Sequence, residues 1–203
     1  MNTARKIRGS LDLVMAALLV LGYTLLISEQ VGEGQFIADQ HFTYLTNQIS
    51  YLTIIVLTIG AASGWLRSRD SRWYTTIRGC FVIYGFIVAL VYNGLLRAPD
   101  HFGFHNEITH VLVPMYLITD WFVRSNRPKI GWNTVWLGAS YPIAWTLVIL
   151  VRGQNIDWYP YFFLNPQEGL GWWGVMIYVA VITILFLSAA AMIVRINNSR
   201  SRR

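Results

Sequence analysis

The chain has 203 residues, 55% of them hydrophobic and 13% charged, a balance too apolar for a soluble domain of single-domain size. Its formal charge of +6 is distributed in a way that excludes a nucleic-acid face. Apart from Arg97 and Arg152, every Lys and Arg lies in the N-terminal tail, the second or fourth connection, or the C-terminal tail. Cytoplasmic segments of membrane proteins collect Lys and Arg in this alternate manner, because these charges resist translocation.

Six apolar stretches follow one another, at 11–28, 43–65, 77–96, 107–123, 132–151 and 172–194. Each is close to the ~20 residues needed to cross a bilayer core about 30 Å thick. They predict an all-α integral membrane protein, one domain over 1–203, folded as a six-transmembrane-helix bundle with both termini cytoplasmic. Short basic connections of this kind suit a multi-pass protein of a bacterial inner (plasma) membrane.

In chain order, the tail carrying Arg5, Lys6 and Arg8 leads into the first stretch. No small-residue cleavage site follows it, only Glu29-Gln30-Val31, so it reads as a retained span. The second stretch carries Thr43, Thr46, Asn47, Ser50 and Thr53 at intervals of three and four, a polar stripe on one helical face. The third holds the single cysteine, Cys80, which excludes a disulfide within the chain and reads as a packing residue.

On the fourth stretch Asn106, His110 and Pro114 share a face. Pro114 has no N–H, so the His110 carbonyl loses its helical donor, and Pro142 on the fifth stretch frees the Gly138 carbonyl in the same way. Between the fifth and sixth stretches runs Asp157-Trp158-Tyr159-Pro160-Tyr161-Phe162-Phe163-Leu164, too aromatic for a solvated loop. It reads either as a lid folded back over the bundle or as an interfacial anchor. Trp65, Trp73, Trp121 and Trp132 read as a belt at the inner interface, with Trp158, Trp172 and Trp173 at the outer one.

The titratable groups are one-sided. His41, His101, His105 and His110 all fall in or beside the outer connections, as do Arg97, Arg152 and most of the acids. No charge is expected deep in the bundle. Thr46 and His110 lie at similar depth on their stretches. A neutral imidazole within reach of a threonine hydroxyl takes its proton and makes it a nucleophile. Ser and Thr in membrane helices also bond back to their own carbonyls, and polar side chains join neighbouring helices.

Phe42-Thr43-Tyr44-Leu45-Thr46-Asn47-Gln48, then Thr109-His110-Val111-Leu112-Val113-Pro114, then Trp158-Tyr159-Pro160-Tyr161-Phe162-Phe163-Leu164 resemble, in that order, the androgen-induced membrane hydrolase family, which has animal and bacterial members. The resemblance implies a multi-pass threonine hydrolase that cleaves lipid esters of the fatty acid ester of hydroxy fatty acid type, without a cofactor. It maps the nucleophile onto Thr46, with Thr43 as the competing choice, and the histidine onto His110. Substrate or oxyanion contacts are then sought among Thr43, Asn47, Asn93, Arg97, Asn106, Trp158 and Tyr159. The partners expected are membrane lipids and a lipid ester, with no nucleic acid.

Two other classes stay open. His101 and His105 are four apart, which would suit a histidine-based metal site, although no spacing matches a zinc pattern. A cavity lined by the same stripes would also suit a solute or lipid transporter or sensor, although the chain carries no inverted repeat.

Overall fold

The first helix, α1 (Thr3–Gly32), is rich in Leu, Val, Ala and Ile, with neither Pro nor a β-branched block to stop it. It ends at Gly32, and the chain turns through Gly34 at φ +69°. In this computed structural model, which describes residues 3–97, 103–124 and 127–201, a short α2 (Ala38–Thr43) follows. Tyr44, extended at φ −60°, ψ 124°, separates it from α3 (Leu45–Leu66). The polar stripe is therefore broken. Thr43 belongs to α2, and α3 begins one residue before Thr46.

Ser71 opens α4 (Arg72–Val91), its hydroxyl accepting from the Tyr74 amide at 3.1 Å. The helix continues as a π turn, Tyr92–Leu96. The next helical run is in three pieces: α5 (Phe104–Glu107), a π turn Ile108–Leu112, and α6 (Val113–Val123) with Pro114 in its first turn. The wider π turn sits where the proline withdraws its donor from the ladder. Then come α7 (Asn133–Ile156), ending at Asp157 in the left-handed region (φ 51°), a 3₁₀ turn Phe162–Leu164, and α8 (Trp172–Arg200). Among the described residues all regular structure is helical, and α1, α3, α4 with its π turn, α7 and α8 are long and apolar enough to cross a membrane.

α1 and α3 make the closest pairing. A Cβ on Gly64 would lie 2.8 Å from the Arg5 carbonyl oxygen and 2.9 Å from Gly9 Cα, so only glycine permits the backbones to approach this far. α4 is the spine, packing on α3, α6, α7 and α8 around Leu57, Val82, Ile83, Leu117, Ala190 and Val194. Trp121 is part of this core, fully buried with the Arg127 guanidinium 3.7 Å over its ring. It is not an interfacial anchor, because its face of α6 meets Gly79 of α4.

Both termini and the connections after α3 and α6 share one end of the bundle: Arg5 donates to the carbonyls of Ser63 and Arg67, and Asn198 to that of Ile130. Within this tail end lies a buried charge network, contrary to the expectation of an uncharged interior. Arg78 forks onto both oxygens of Asp12 (2.7 and 3.1 Å) and pairs with Asp120 at 3.0 Å, all three buried. Tyr74 accepts from Arg78, Tyr116 donates to Asp12, and Arg8 pairs with Asp120. Asp70 is held by Arg5 and Arg124. On the sequence these charges sit within a turn or two of a stretch boundary and read as boundary residues; in the fold they point at each other across α1, α4 and α6.

Candidate functional site

At the opposite end, the start of α3 positions Thr46 in the first helical turn. Its hydroxyl lies 3.1 Å from the Tyr161 hydroxyl, and its amide donates to the same oxygen at 3.3 Å. Tyr161 arrives from the aromatic segment after α7, which does fold back. Phe163 and Leu164 are buried, and they form a second core with Trp145, Ile149 and Val175. Burial raises the Tyr161 pKa above its ordinary value, so the phenol keeps its proton and remains a donor at neutral pH.

Thr46 and Tyr161 line a cavity of about 330 Å³ between α3, α4, α7 and α8. Its walls are nearly all apolar: Val88 and Val91 from α4, Trp145 and Leu150 from α7, Ile182 and Phe186 from α8. A concave, apolar space with a few convergent hydroxyls has the character of a small-molecule or lipid site.

His110 is buried next to this cavity. Its imidazole stacks on Tyr92 at 3.7 Å between centroids, and the Tyr92 ring itself lines the cavity. Nδ1 lies 3.1 Å from the Asn106 carbonyl oxygen, which can only accept. The proton of the neutral ring is therefore on Nδ1, and Nε2 presents its lone pair. Thr46 and His110 share no direct hydrogen bond. The carbonyl that Pro114 frees at His110 accepts instead from Asn93 at 3.3 Å. The one that Pro142 frees at Gly138 accepts from Tyr84 at 2.8 Å.

The remaining residues singled out in the sequence are distributed around this centre. Thr43 donates its hydroxyl to the Asp39 carbonyl, and its own carbonyl accepts from Trp145, so its side chain is tied within α2. Asn47 bridges helices, donating to the His41 carbonyl and accepting from Tyr23. Asn93 and Arg97 form one chain that ends on Glu107. Asn106 contributes its carbonyl to His110. Trp158 packs edge-on to Tyr44, with Arg152 over its ring, and Tyr159 packs against Gly153.

His41 lies 2.6 Å from the Tyr51 hydroxyl, and His105 stacks edge-on to Tyr23. His101 lies outside the described residues. Among the described residues no three His, Cys, Asp or Glu side chains converge to hold a metal ion.

Tyr161 is the site residue that sequence reasoning passed over. Its signal was present in the aromatic run, but which ring enters the bundle is decided by the 3₁₀ turn at Phe162–Leu164.

Fold and site together define an all-helical protein, five of whose helices have membrane-spanning length and composition, with an apolar cavity whose wall carries a threonine–tyrosine hydroxyl pair. No family model, no curated protein and no solved structure matches the chain.

Proposed function

We propose that the protein is an intramembrane hydrolase of lipid esters, with Thr46 as nucleophile and His110 as its base. The observation that carries the reading is the position of the Thr46 hydroxyl, in the wall of an apolar cavity, beside a second hydroxyl and in the first turn of a helix. In this scheme Thr46 Oγ1 attacks the ester carbonyl carbon while its proton passes to His110 Nε2. The tetrahedral oxyanion is met by the Tyr161 hydroxyl and by the Thr46 amide, which points there at the positive end of α3. Collapse breaks the bond to the alcohol oxygen, which takes the proton back from His110. Water then cleaves the acyl-threonine, giving the carboxylic acid and restoring Thr46.

In this scheme the Tyr92 ring, which stacks on His110, turns aside so that Nε2 reaches Thr46 when an ester is bound. Asn93 holds the His110 carbonyl and Asn106 holds Nδ1, so the imidazole is fixed in tautomer and height. We read the run 104–123 as a sixth crossing, since its start lies against Gly22 of α1 and Asp120 near its end pairs with Arg8. With basic residues gathered at the tail end, both termini are then cytoplasmic, the site faces the outer leaflet, and the membrane is a bacterial inner membrane.

An alkyl fluorophosphonate tests this on detergent-purified protein. Wild type is labelled at Thr46, and labelling is lost in Thr46→Ala and falls at least 100-fold in rate in His110→Ala, with both variants folded by circular dichroism. Equal labelling of Thr46→Ala and wild type overturns the assignment, and no labelling of any form moves the cavity to lipid binding without chemistry.

A further inference from the structure

The tail end holds more positive charge than its acids balance. Asp70 is shared by Arg5 and Arg124, and Asp120 by Arg8 and Arg78, while Asp12 takes both arms of the Arg78 fork. Four guanidiniums thus share three carboxylates. Arg127, 4% exposed, adds a further cation, and its Nη1 is buried without a partner among the described residues. Burial, and then the guanidiniums of Arg8, Arg127 and Arg5, lower the Arg124 pKa to about 9, the direction that crowded like charge produces.

Between these side chains lies a small space. Arg5, Arg8, Asp12 and Arg124 line it over the bare backbone of Gly9 and Gly64, where α1 and α3 come closest. It measures about 10 Å³, enough for a single water-sized atom. Asp12 brings no free charge to it, since Arg78 takes both its oxygens and Tyr116 donates to one of them. The arginines, by contrast, have donors to spare. Arg5 bonds through Nε and Nη2, and Arg8 pairs through Nε alone. Among the described residues, Arg5 Nη1 and both Nη groups of Arg8 are committed to no other group. Both side chains are partly exposed, so the space is reached from the surface of the tail end.

We propose that this space seats a phosphoryl group, one of whose oxygens enters between Arg5, Arg8 and Arg124 while the rest of the group stays at the surface. The forked N–H groups of arginine match phosphate oxygens in geometry and charge, and the volume admits one such oxygen and no more. A phosphodiester and a free phosphate both present that oxygen. On the topology proposed above, the tail end lies at the cytoplasmic leaflet, where the headgroups of anionic phospholipids supply it. Free phosphate from solution is the other source. Neither depends on Thr46 or on the hydrolase chemistry.

Thermal unfolding of the full chain, stripped of lipid in a neutral detergent, tests the site. Dioleoylphosphatidylglycerol is compared with uncharged dioleoylglycerol, and inorganic phosphate with chloride at matched ionic strength. A ligand held only by the folded chain raises the unfolding temperature by about 5–10 °C at roughly 100 times its Kd. A rise with dioleoylphosphatidylglycerol alone assigns the site to a lipid headgroup, and a rise with phosphate assigns it to the free anion. Arg8→Gln leaves Asp120 paired with Arg78 and so keeps the fold; it loses at least half of the rise. Arg69→Gln, which removes an exposed charge from the same end, keeps it.

Equal losses in the two variants show a diffuse field of the whole tail end and overturn the site. So does a rise no larger than dioleoylglycerol or chloride produces. Native mass spectrometry of the wild-type chain reads the same site without a variant. One phosphatidylglycerol or one phosphate retained per chain supports it, and equal retention of dioleoylglycerol or chloride overturns it.

Discussion

Replacing Arg78 by Met tests the buried charge network at the tail end. The side chain is 1% exposed, and its loss removes both hydrogen bonds to Asp12 (2.7 and 3.1 Å), one to Tyr74 (2.8 Å) and the ion pair with Asp120 (3.0 Å). Among the described residues Asp120 retains Arg8, but Asp12, also buried, is left with only the Tyr116 hydroxyl. A buried carboxylate stripped of its cation costs about 3–5 kcal/mol. At about 2–4 °C per kcal/mol for a chain of this length, the unfolding temperature drops by roughly 6–20 °C. Combining Arg78→Met with Asp12→Asn removes both charges together, and the double variant regains about half of the loss. The assay is thermal unfolding in detergent, followed by tryptophan fluorescence. A shift in Arg78→Met of under about 2 °C, or a double variant worse than the single one, refutes the account. Because the network lies at the far end from Thr46, labelling of Thr46 at low temperature is expected to survive in either variant.

Tyr161→Phe removes one oxyanion donor while keeping the ring packed on Tyr44 and Phe163; kcat is expected to fall about 10²–10³-fold with KM unchanged, as for the loss of a single such donor, and a fall in KM-dependent binding alone contradicts the role. Gly64→Leu forces α1 away from α3, since even a Cβ meets backbone at 2.8 Å; this overpacking costs about 1–3 kcal/mol or more, read as a lower unfolding temperature. Burial holds the His41 imidazole below its ordinary pKa, with Tyr51 placed to donate to its neutral Nε2. The unfolded chain takes up that proton near pH 6.5, the folded chain only at lower pH. Stability therefore declines as pH falls below about 6.5 and is flat above it; His41→Gln removes this slope, and an unaltered slope shows that another group is responsible.

What was legible in the sequence is what local chemistry decides. The apolar stretches and the two carbonyls freed by Pro114 and Pro142 follow from residues a few positions apart, whereas the aromatic run left a lid and an interfacial anchor both open. What was not legible depends on which helix faces which. Asp12 and Arg78 each lie close enough to a stretch boundary to pass for interfacial charges, and only the docking of α1 on α3, which itself packs on α4, makes them a pair. Thr43 looked continuous with Thr46 because nothing in Thr43-Tyr44-Leu45 signals a break. Tyr44 is extended because the Trp145 indole and the Asn47 side chain claim the last carbonyls of α2 from outside the helix. Trp121 was taken for a belt residue by its position near a stretch end, but its register on α6 turns it into the core against Gly79.

The two prolines and α4 explain why the candidate chemistry lies in the half of the bundle away from the termini. Each proline removes one donor from its own helix, and an unmet carbonyl in hydrocarbon is costly. Both deficits are met from α4, by Tyr84 for the Gly138 carbonyl and by Asn93 for the His110 carbonyl. Those two side chains sit nine residues apart on the same helix, and Tyr92 between them lines the cavity while stacking on His110. The interactions that repair the helices thus also fix Tyr84 in the cavity wall and the position of the His110 backbone beside it. The tail end, by contrast, closes with ion pairs between α1, α4 and α6 and leaves no comparable space. The two ends thus differ in kind: one is locked by buried charge, the other is held by α4 hydrogen bonds around an apolar space that Thr46 lines.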